Sequence, residues 1–228
     1  MGVVESTLMR TFGRPTGLLG RLGGRIMAHT NGALARSAIG LLEVQPDDRV
    51  LEVGFGPGVG IEALARAAPA GRVAGVDCSK EMVAQATARN AGAIERGLVD
   101  LRHGSVEALP FEDGGFDAAL AINSLQVWPD ARAGLREIGR VLRPGGRIAL
   151  GFTPYSGQPR AGITDLVAAV GFAEARLGCV FKVGFHASRA GRWGAGSDKG
   201  RAFRPVATVR TPRFRPPMRH LRGFKNRP

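Results

Sequence analysis

Short apolar segments alternate with amphipathic segments along most of the chain. Five of the apolar segments have the length of β-strands: Val50–Val53, Arg72–Asp77, Leu98–Arg102, Phe116–Ile122 and Arg147–Phe152. The segments between them carry apolar residues at helical spacing, as in Met82, Val83 and Ala86. Nearly continuous apolar strands separated by helices are typical of a parallel sheet. The pattern predicts an α/β fold with a mainly parallel sheet and helices on both faces.

The same pattern divides the chain into three parts. Residues 1–46 contain two helical stripes, which could form an N-terminal helical lid over a cleft or only cover the edge of the sheet. Residues 47–183 carry the strands and helices of the main domain, which closes with a helix from Ile163 to Val170 and a strand from Ala175 to Phe181. Periodicity disappears after about Gly184, and Ala, Gly, Arg and Pro dominate. We therefore expect residues 184–228 to form a disordered tail.

The charge is concentrated in this tail. The chain of 228 residues has a net charge of +13. Residues 184–228 hold twelve Lys or Arg against one acid, which leaves 20 basic and 18 acidic residues in the rest. The main domain is thus nearly neutral. Cys78 and Cys179 lie far apart in the sequence, so neither a disulfide framework nor a metal site is expected. No apolar run approaches membrane-spanning length and no signal peptide is evident, which favours a cytoplasmic protein.

The first strand ends in a glycine-rich loop with an unusual spacing. Glu52 is followed at every second position by a glycine: Gly54, Gly56 and Gly58. The dinucleotide fingerprint G-x-G-x-x-G fails from Gly54 and also from Gly56, which argues against a nicotinamide-dependent oxidoreductase. A strand, a glycine turn and a helix nevertheless form a site for a small polar ligand.

An acidic residue, Asp77, ends the second strand. It lies 19 positions after Gly58. An acid at this position of an α/β sheet can accept hydrogen bonds from both hydroxyls of a ribose. The alternative is an acid that only caps the strand end. The loop and the acid together predict a site for a nucleoside.

The motifs resemble class I S-adenosylmethionine (SAM) methyltransferases, which have a Rossmann-like fold. The segment Gly104–Phe111 is similar to a motif of the small-molecule group that includes quinone-biosynthesis enzymes, although Ser105 replaces its Asp. Asn123–Trp128 and Arg136–Gly146 match the regions after the fourth strand and before the fifth. The resemblance implies SAM as cofactor and these binding residues: Glu52, Gly54, Phe55, Gly56, Gly58, Asp77, Cys78, Ser105, Val106 and Asn123.

The implied reaction is transfer of the SAM methyl group to a small-molecule acceptor by in-line displacement. The methyl group is already activated, so positioning of the reactants can supply about 7–11 kcal/mol without a dedicated nucleophile. No catalytic residue is predicted. A general base is needed only where the acceptor must lose a proton, and His29 is the histidine within the expected lid. Tyr155 follows the fifth strand and could line the acceptor pocket, whereas His103 is expected to be structural.

Two other functions remain open. The basic tail contains Trp193, Phe203, Phe214 and Phe224, which could stack on bases while the cations bind phosphates. However, the Asn123–Gln126 segment lacks the Asn-Pro-Pro-aromatic motif of base methyltransferases, and no Pro-Cys dipeptide is present. A SAM-binding protein without catalytic activity is the second alternative.

A seventh strand, antiparallel to the others, is expected from the family's fold. After Ala175–Phe181 the sequence offers only the weak candidate Lys182–Ala187. The composition of the tail suggests the hypothesis that out-of-frame reading has replaced the usual C-terminus. Loss of this strand would leave an open sheet edge and reduce solubility.

Overall fold

Seven β-strands form a single sheet in the computed structural model, which describes residues 32–153, 162–180 and 204–210. The strands are β1 (Arg49–Val53), β2 (Arg72–Asp77), β3 (Val99–His103), β4 (Phe116–Ile122), β5 (Leu142–Gly151), β6 (Ala173–Val180) and β7 (Arg204–Arg210). Their order is β3-β2-β1-β4-β5-β7-β6. Strands β1 to β5 pair in parallel, and β7 pairs antiparallel with both β5 and β6.

Helices cover both faces of this sheet. They are α1 (32–42), α2 (Val59–Ala67), α3 (Lys80–Arg89), α4 (Ala91–Glu95), α5 (Ala131–Val141) and α6 (Ile163–Ala169), with a short 3₁₀ helix at Leu125–Val127. Alternate residues of β1, β2, β4 and β5 enter different cores. Leu51 belongs to the core that includes Leu135 of α5, whereas Val50 belongs to the one that includes Leu34 of α1 and Leu64 of α2. The predicted Rossmann-like fold is confirmed.

The direction in which the sheet grows reverses beside β1. From β1 the chain builds outward through β2 to β3, and it then returns to place β4 on the other side of β1. Such a reversal opens a crevice at the carboxyl ends of the neighbouring strands, where ligands bind in open α/β sheets. The residues that follow β1, β2 and β4 are therefore brought together.

One arginine of β5 holds the C-terminal end of α1. Arg147 donates from Nε to the carbonyl oxygen of Leu42 at 2.6 Å and from Nη2 to that of Glu43 at 2.9 Å. It also forms a buried ion pair with Asp48. These bonds satisfy carbonyl groups that a helix end leaves without partners. They fix α1 on the sheet, with its residue Ala35 at the cleft described below.

Two predictions about the strands were wrong. Strand β5 begins at Leu142 and not at Arg147, because Leu142 pairs with Phe116 and the register shifts before Arg147 pairs with Ala118. The tail also contributes a strand: residues 204–210 of the predicted disordered segment form β7. The antiparallel strand of the family's fold is therefore present, so a missing strand no longer supports the hypothesis of a replaced C-terminus.

Several sequence predictions fall outside the described residues. These are the first predicted helix, the residues His29 and Tyr155, the weak strand candidate at 182–187 and the tail aromatic residues. Of the predicted lid, the described part is 32–46, in which α1 lies. Within the described ranges, no helix has both the length and the apolar character required to cross a membrane.

Candidate functional site

A cleft of about 290 Å³ lies at the carboxyl ends of β1, β2 and β4. Nine of the ten predicted cofactor residues line it: Glu52, Gly54, Phe55, Gly56, Asp77, Cys78, Ser105, Val106 and Asn123. These residues come from four separate stretches of the chain. The reversal of strand order beside β1 brings them together. Gly58 does not line the cleft. Among the described residues, no group of three His, Cys, Asp or Glu side chains could hold a metal ion.

The glycine loop runs along the floor of the cleft with a backbone that favours glycine. Gly54, Gly56 and Gly58 have φ angles of 69°, 53° and 80°, in the left-handed region. A Cβ at Gly54 would lie 2.5 Å from the Cβ of Ser124. The hydroxyl of Ser124 donates to the carbonyl oxygen of Val53 at 3.0 Å, so the segment after β4 is fastened to the start of the loop.

Asp77 joins the loop to the end of β2. Its Oδ2 accepts a hydrogen bond of 2.9 Å from the Gly56 N–H, and its Oδ1 accepts one of 2.8 Å from the Ser79 N–H. Each carboxylate oxygen can accept more than one hydrogen bond, so the group can bind a ligand as well. Burial raises the pKa of Asp77 above its ordinary value, while the two N–H groups and the charge of His103 act in the opposite direction.

Glu52 is a buried carboxyl group in β1, two residues before Gly54 of the loop. Its side chain is 2% exposed, and Oε2 has no hydrogen-bond partner among the described residues. Burial raises the pKa of Glu52 to about 8, and the negative charge of Asp77 adds to the rise. A buried carboxylate without a partner is costly, so the site favours a cationic ligand group here.

Gly60 lies close to this carboxyl group. A Cβ at Gly60, in the first turn of α2, would lie 2.6 Å from Cδ of Glu52. Real Cβ atoms do not approach so closely without a shift of the neighbour. Gly60 was not among the predicted site residues, although it continues the alternation of glycines after Gly58.

Asn123 closes the cleft on the side of β4. It has a φ of 50°, in the left-handed region where Asn is among the most tolerant side chains. Its Oδ1 accepts hydrogen bonds from the backbone N–H of Thr153 at 2.7 Å and from the Thr153 hydroxyl at 3.2 Å. The side chain therefore ties the ends of β4 and β5 together while it lines the cleft.

The remaining predicted residues line the part of the cleft beyond Asp77. Ser105 accepts a hydrogen bond of 3.2 Å from the Glu107 N–H, and Val106 is buried. Cys78 follows β2 and is exposed. His103 lies 3.1 Å from the Cys78 carbonyl oxygen, through Nε2, in keeping with a structural role.

Sequence reasoning missed an aromatic residue in the wall. Trp128 lines the cleft together with Val127 and Pro129. Gly134 of α5 lies against it, since a Cβ there would come within 2.8 Å of the indole Cε3. The sequence offered one indication that Trp128 lines the cleft, which is its position five residues after Asn123.

The chain matches the family model of the methyltransferase domain over residues 51–150. It is 32% identical over 133 residues to the uncharacterized methyltransferase YdaC of Bacillus subtilis, with 58% of this chain and 71% of that protein covered. It is also 32% identical to the ubiquinone/menaquinone biosynthesis C-methyltransferase UbiE of Geotalea daltonii (50% of this chain, 49% of that protein). A third relative, 27-O-demethylrifamycin SV methyltransferase of Amycolatopsis mediterranei, is 37% identical (49% and 41% covered).

A solved structure extends the likeness to the fold. A chain of the complex between the Haloferax volcanii Trm112 methyltransferase activator and a methyltransferase superposes with a TM-score of 0.69 at 21% identity. The match covers 85% of this chain and 94% of that chain. The chain spans between 36% and 71% of the length of the curated relatives it matches.

The protein belongs to the methyltransferase family, for which the sequence motifs implied SAM as the cofactor. The resemblance stated from the sequence motifs is thereby confirmed. The residues of the cleft fit this cofactor, because the buried carboxyl group of Glu52 suits a cation and Asp77 suits a diol. A glycine-rich backbone connects the two.

Proposed function

We propose that this protein transfers a methyl group from SAM to a small-molecule acceptor. The observation that carries the proposal is the pair of buried carboxyl groups, Glu52 and Asp77, which line the cleft together with the glycine loop. SAM carries an ammonium group at one end and a ribose diol in the middle. The cleft offers a buried acceptor for each, and both lie beside backbone that has no Cβ in the way.

Each stretch of the cleft has its own part in binding under this proposal. Glu52, Gly54, Phe55 and Gly56 hold the methionine end, where the partnerless Oε2 of Glu52 accepts from the ammonium group. Asp77 accepts from the ribose hydroxyls. Cys78, Ser105 and Val106 surround the adenine, and Asn123 closes the methionine side. Gly58 contributes by its packing and not by contact.

Bound SAM supplies a methyl group on a sulfonium, which needs no nucleophile from the protein. The chain's contribution is to hold donor and acceptor in line and to exclude water. Ala35 of α1 lines the cleft. We therefore propose that the N-terminal segment 1–46 covers the site as a lid, while 47–183 together with β7 forms the binding domain.

The acceptor is proposed to be a small molecule because relatives are named for small-molecule reactions. UbiE is named for C-methylation in quinone biosynthesis, and the Amycolatopsis mediterranei enzyme for O-methylation of a rifamycin. Cys78 and Cys179 lie far apart in the sequence and imply no disulfide framework, and we propose a cytoplasmic location.

An acceptor screen tests this function. The full chain is incubated with SAM and with quinols, phenols, amines, RNA or DNA, and formation of S-adenosylhomocysteine (SAH) is measured. The proposal predicts turnover with a small molecule and none with nucleic acid. Turnover confined to RNA or DNA would contradict the proposed acceptor class. Binding of SAM without turnover on any acceptor would favour the non-catalytic alternative.

A further inference from the structure

Gly58 departs from the other glycines of the loop because it faces away from the cleft. A Cβ at Gly58 would lie 2.7 Å from the Cβ of Ala86 and 2.7 Å from Nδ2 of Asn90. Ala86 lies in the last turn of α3, and Asn90 caps the C-terminal end of this helix. The third glycine of the motif thus permits the loop to approach the helix that follows β2.

Asn90 uses this close approach to hold the loop. Its side-chain Nδ2 donates to the Gly58 carbonyl oxygen at 3.1 Å and to the Ala86 carbonyl oxygen at 2.9 Å. The carbonyl of Gly58 also accepts the first hydrogen bond of α2, from the Glu62 N–H at 3.1 Å. One buried amide therefore connects the start of α2 with the end of α3.

Asn90 is itself held in a single position. It is 4% exposed, and it lies between α3 and α4. Its backbone N–H donates to Ala86, while its carbonyl oxygen accepts from Ala93 and Ile94. The neighbouring Arg89 adds a bond of 2.9 Å from Nε to the carbonyl oxygen of Pro57.

The loop is thereby fixed from two sides. On the cleft side the Gly56 N–H is bound to Asp77, and on the other side the carbonyl groups of Pro57 and Gly58 are bound to Arg89 and Asn90. A loop with three glycines at positive φ is flexible when it is not held, and flexibility must be lost on ligand binding. Preorganisation by α3 removes part of that cost.

We propose that Asn90 is a positioning residue that holds the glycine loop in its binding conformation for the methionine end of SAM. This inference rests on the proposed assignment of the loop to the methionine end. The effect of Asn90 on affinity should depend on the ligand, because a ligand without the amino acid part does not contact the loop. Loss of stability alone would affect all ligands equally.

The test compares two ligands on variants of the full chain. SAH carries the amino acid part, and 5′-methylthioadenosine lacks it. Asn90→Ala removes both donors, whereas Asn90→Ser is polar and too short to bridge both carbonyl groups. Ile148→Val shortens a buried side chain of β5 outside the cleft and serves as the control for stability. Calorimetry gives the dissociation constants, and thermal unfolding without ligand gives the stability.

We expect both Asn90 variants to bind SAH about tenfold more weakly, as for the loss of one buried hydrogen bond. Binding of 5′-methylthioadenosine should stay within about twofold of wild type, and Ile148→Val should change neither constant. Should both Asn90 variants fail to fold, Arg89→Met provides the same comparison, with a smaller expected loss for SAH.

Equal changes for the two ligands, or SAH binding within about twofold of wild type, would overturn the positioning role. A wild-type chain that binds no SAH would instead overturn the proposed function and this inference with it. The two failures are distinguished by the wild-type titration.

Discussion

The backbone N–H of Gly56 donates a hydrogen bond of 2.9 Å to Oδ2 of Asp77 and so joins the loop after β1 to the end of β2. The carboxyl group that is proposed to bind the ribose also shapes the loop that is proposed to bind the methionine end. Two parts of the cleft thus depend on one side chain, and a change at Asp77 should affect the whole ligand.

Asp77→Ala should weaken SAH binding by about 10-fold to 100-fold, since buried hydrogen bonds to a charged group contribute about 1.5–3 kcal/mol. Calorimetric titration of the full chain measures this. Asp100→Ala is the matched control, because Asp100 pairs with Arg102 on the exposed part of β3. Unchanged affinity in Asp77→Ala would remove the ribose assignment.

Glu52 should make cofactor binding depend on pH. Its pKa is raised to about 8, so the group is mostly protonated in the free protein near neutral pH and becomes ionised as the pH rises through that value. An ionised carboxylate binds the ligand's ammonium group better than a neutral acid does. The affinity for SAH should therefore increase between about pH 6 and pH 8.

Glu52→Gln provides the control for this pH dependence. It keeps the size of the side chain and removes its titration. The variant should bind SAH more weakly at about pH 8 and show a flatter profile. A variant profile with the same slope as wild type would assign the pH dependence to another group.

The stability of the ligand-free protein should show the opposite pH trend. The folded state holds the Glu52 proton more tightly than the unfolded chain, in which the pKa of this group has its ordinary value of 4.5. The free energy of unfolding therefore decreases as the pH rises from about 4.5 to 8. Glu52→Gln should raise the melting temperature more at pH 8 than at pH 5. An equal rise of the melting temperature at pH 5 and pH 8 would contradict a raised pKa of Glu52 in the folded protein.

Gly60→Ala should destabilise the protein by about 1–3 kcal/mol, because its Cβ would overlap the carboxyl group of Glu52. Gly40→Ala is the control. Gly40 lies on the exposed side of α1, and a Cβ added there would have nothing within 4 Å, so alanine should stabilise by about 0.4–1 kcal/mol. Chemical denaturation measures both. Equal effects would show that the carboxyl group can move away.

Deletion of β7 should lower stability and solubility. The strand lies between β5 and β6, so its loss exposes unpaired edges on both. A chain ending at Ala187 should therefore melt at a lower temperature and aggregate more than one ending at Arg210. The comparison separates the strand from the 18 residues that follow it. Similar behaviour of the two chains would mean that β7 contributes little.

The central strands were predictable because their sequences are nearly all apolar. Strands β2 and β4 have the predicted bounds, Arg72–Asp77 and Phe116–Ile122. Strand β7 was not predictable, since Arg204 and Arg210 stand in a basic segment without a strong strand pattern. This strand forms between β5 and β6, which provide hydrogen-bond partners on both of its sides. The start of β5 was hidden by Pro144 and Gly145, which are typical of a turn but lie within an irregular strand.

Some residues of the site were likewise predictable from the sequence, and others were not. Motif spacing identified the glycines and Asp77, because ligand chemistry restricts which residues can stand there. The role of Gly58 and Asn90 could not be predicted from spacing, since they are 32 residues apart and meet only through the packing of α3 on the loop. Trp128 was missed for a related reason: its contact with the cleft depends on how closely α5 approaches at Gly134.

Calorimetric titration of the full chain with SAH and, separately, with NAD⁺ tests the central claim most directly. SAH is the product left when SAM loses its methyl group, and it retains the ribose, adenine and amino acid parts. The proposed site predicts saturable binding of one SAH per chain and no binding of NAD⁺. Binding of NAD⁺, or the absence of SAH binding, would contradict the assignment of this cleft to SAM.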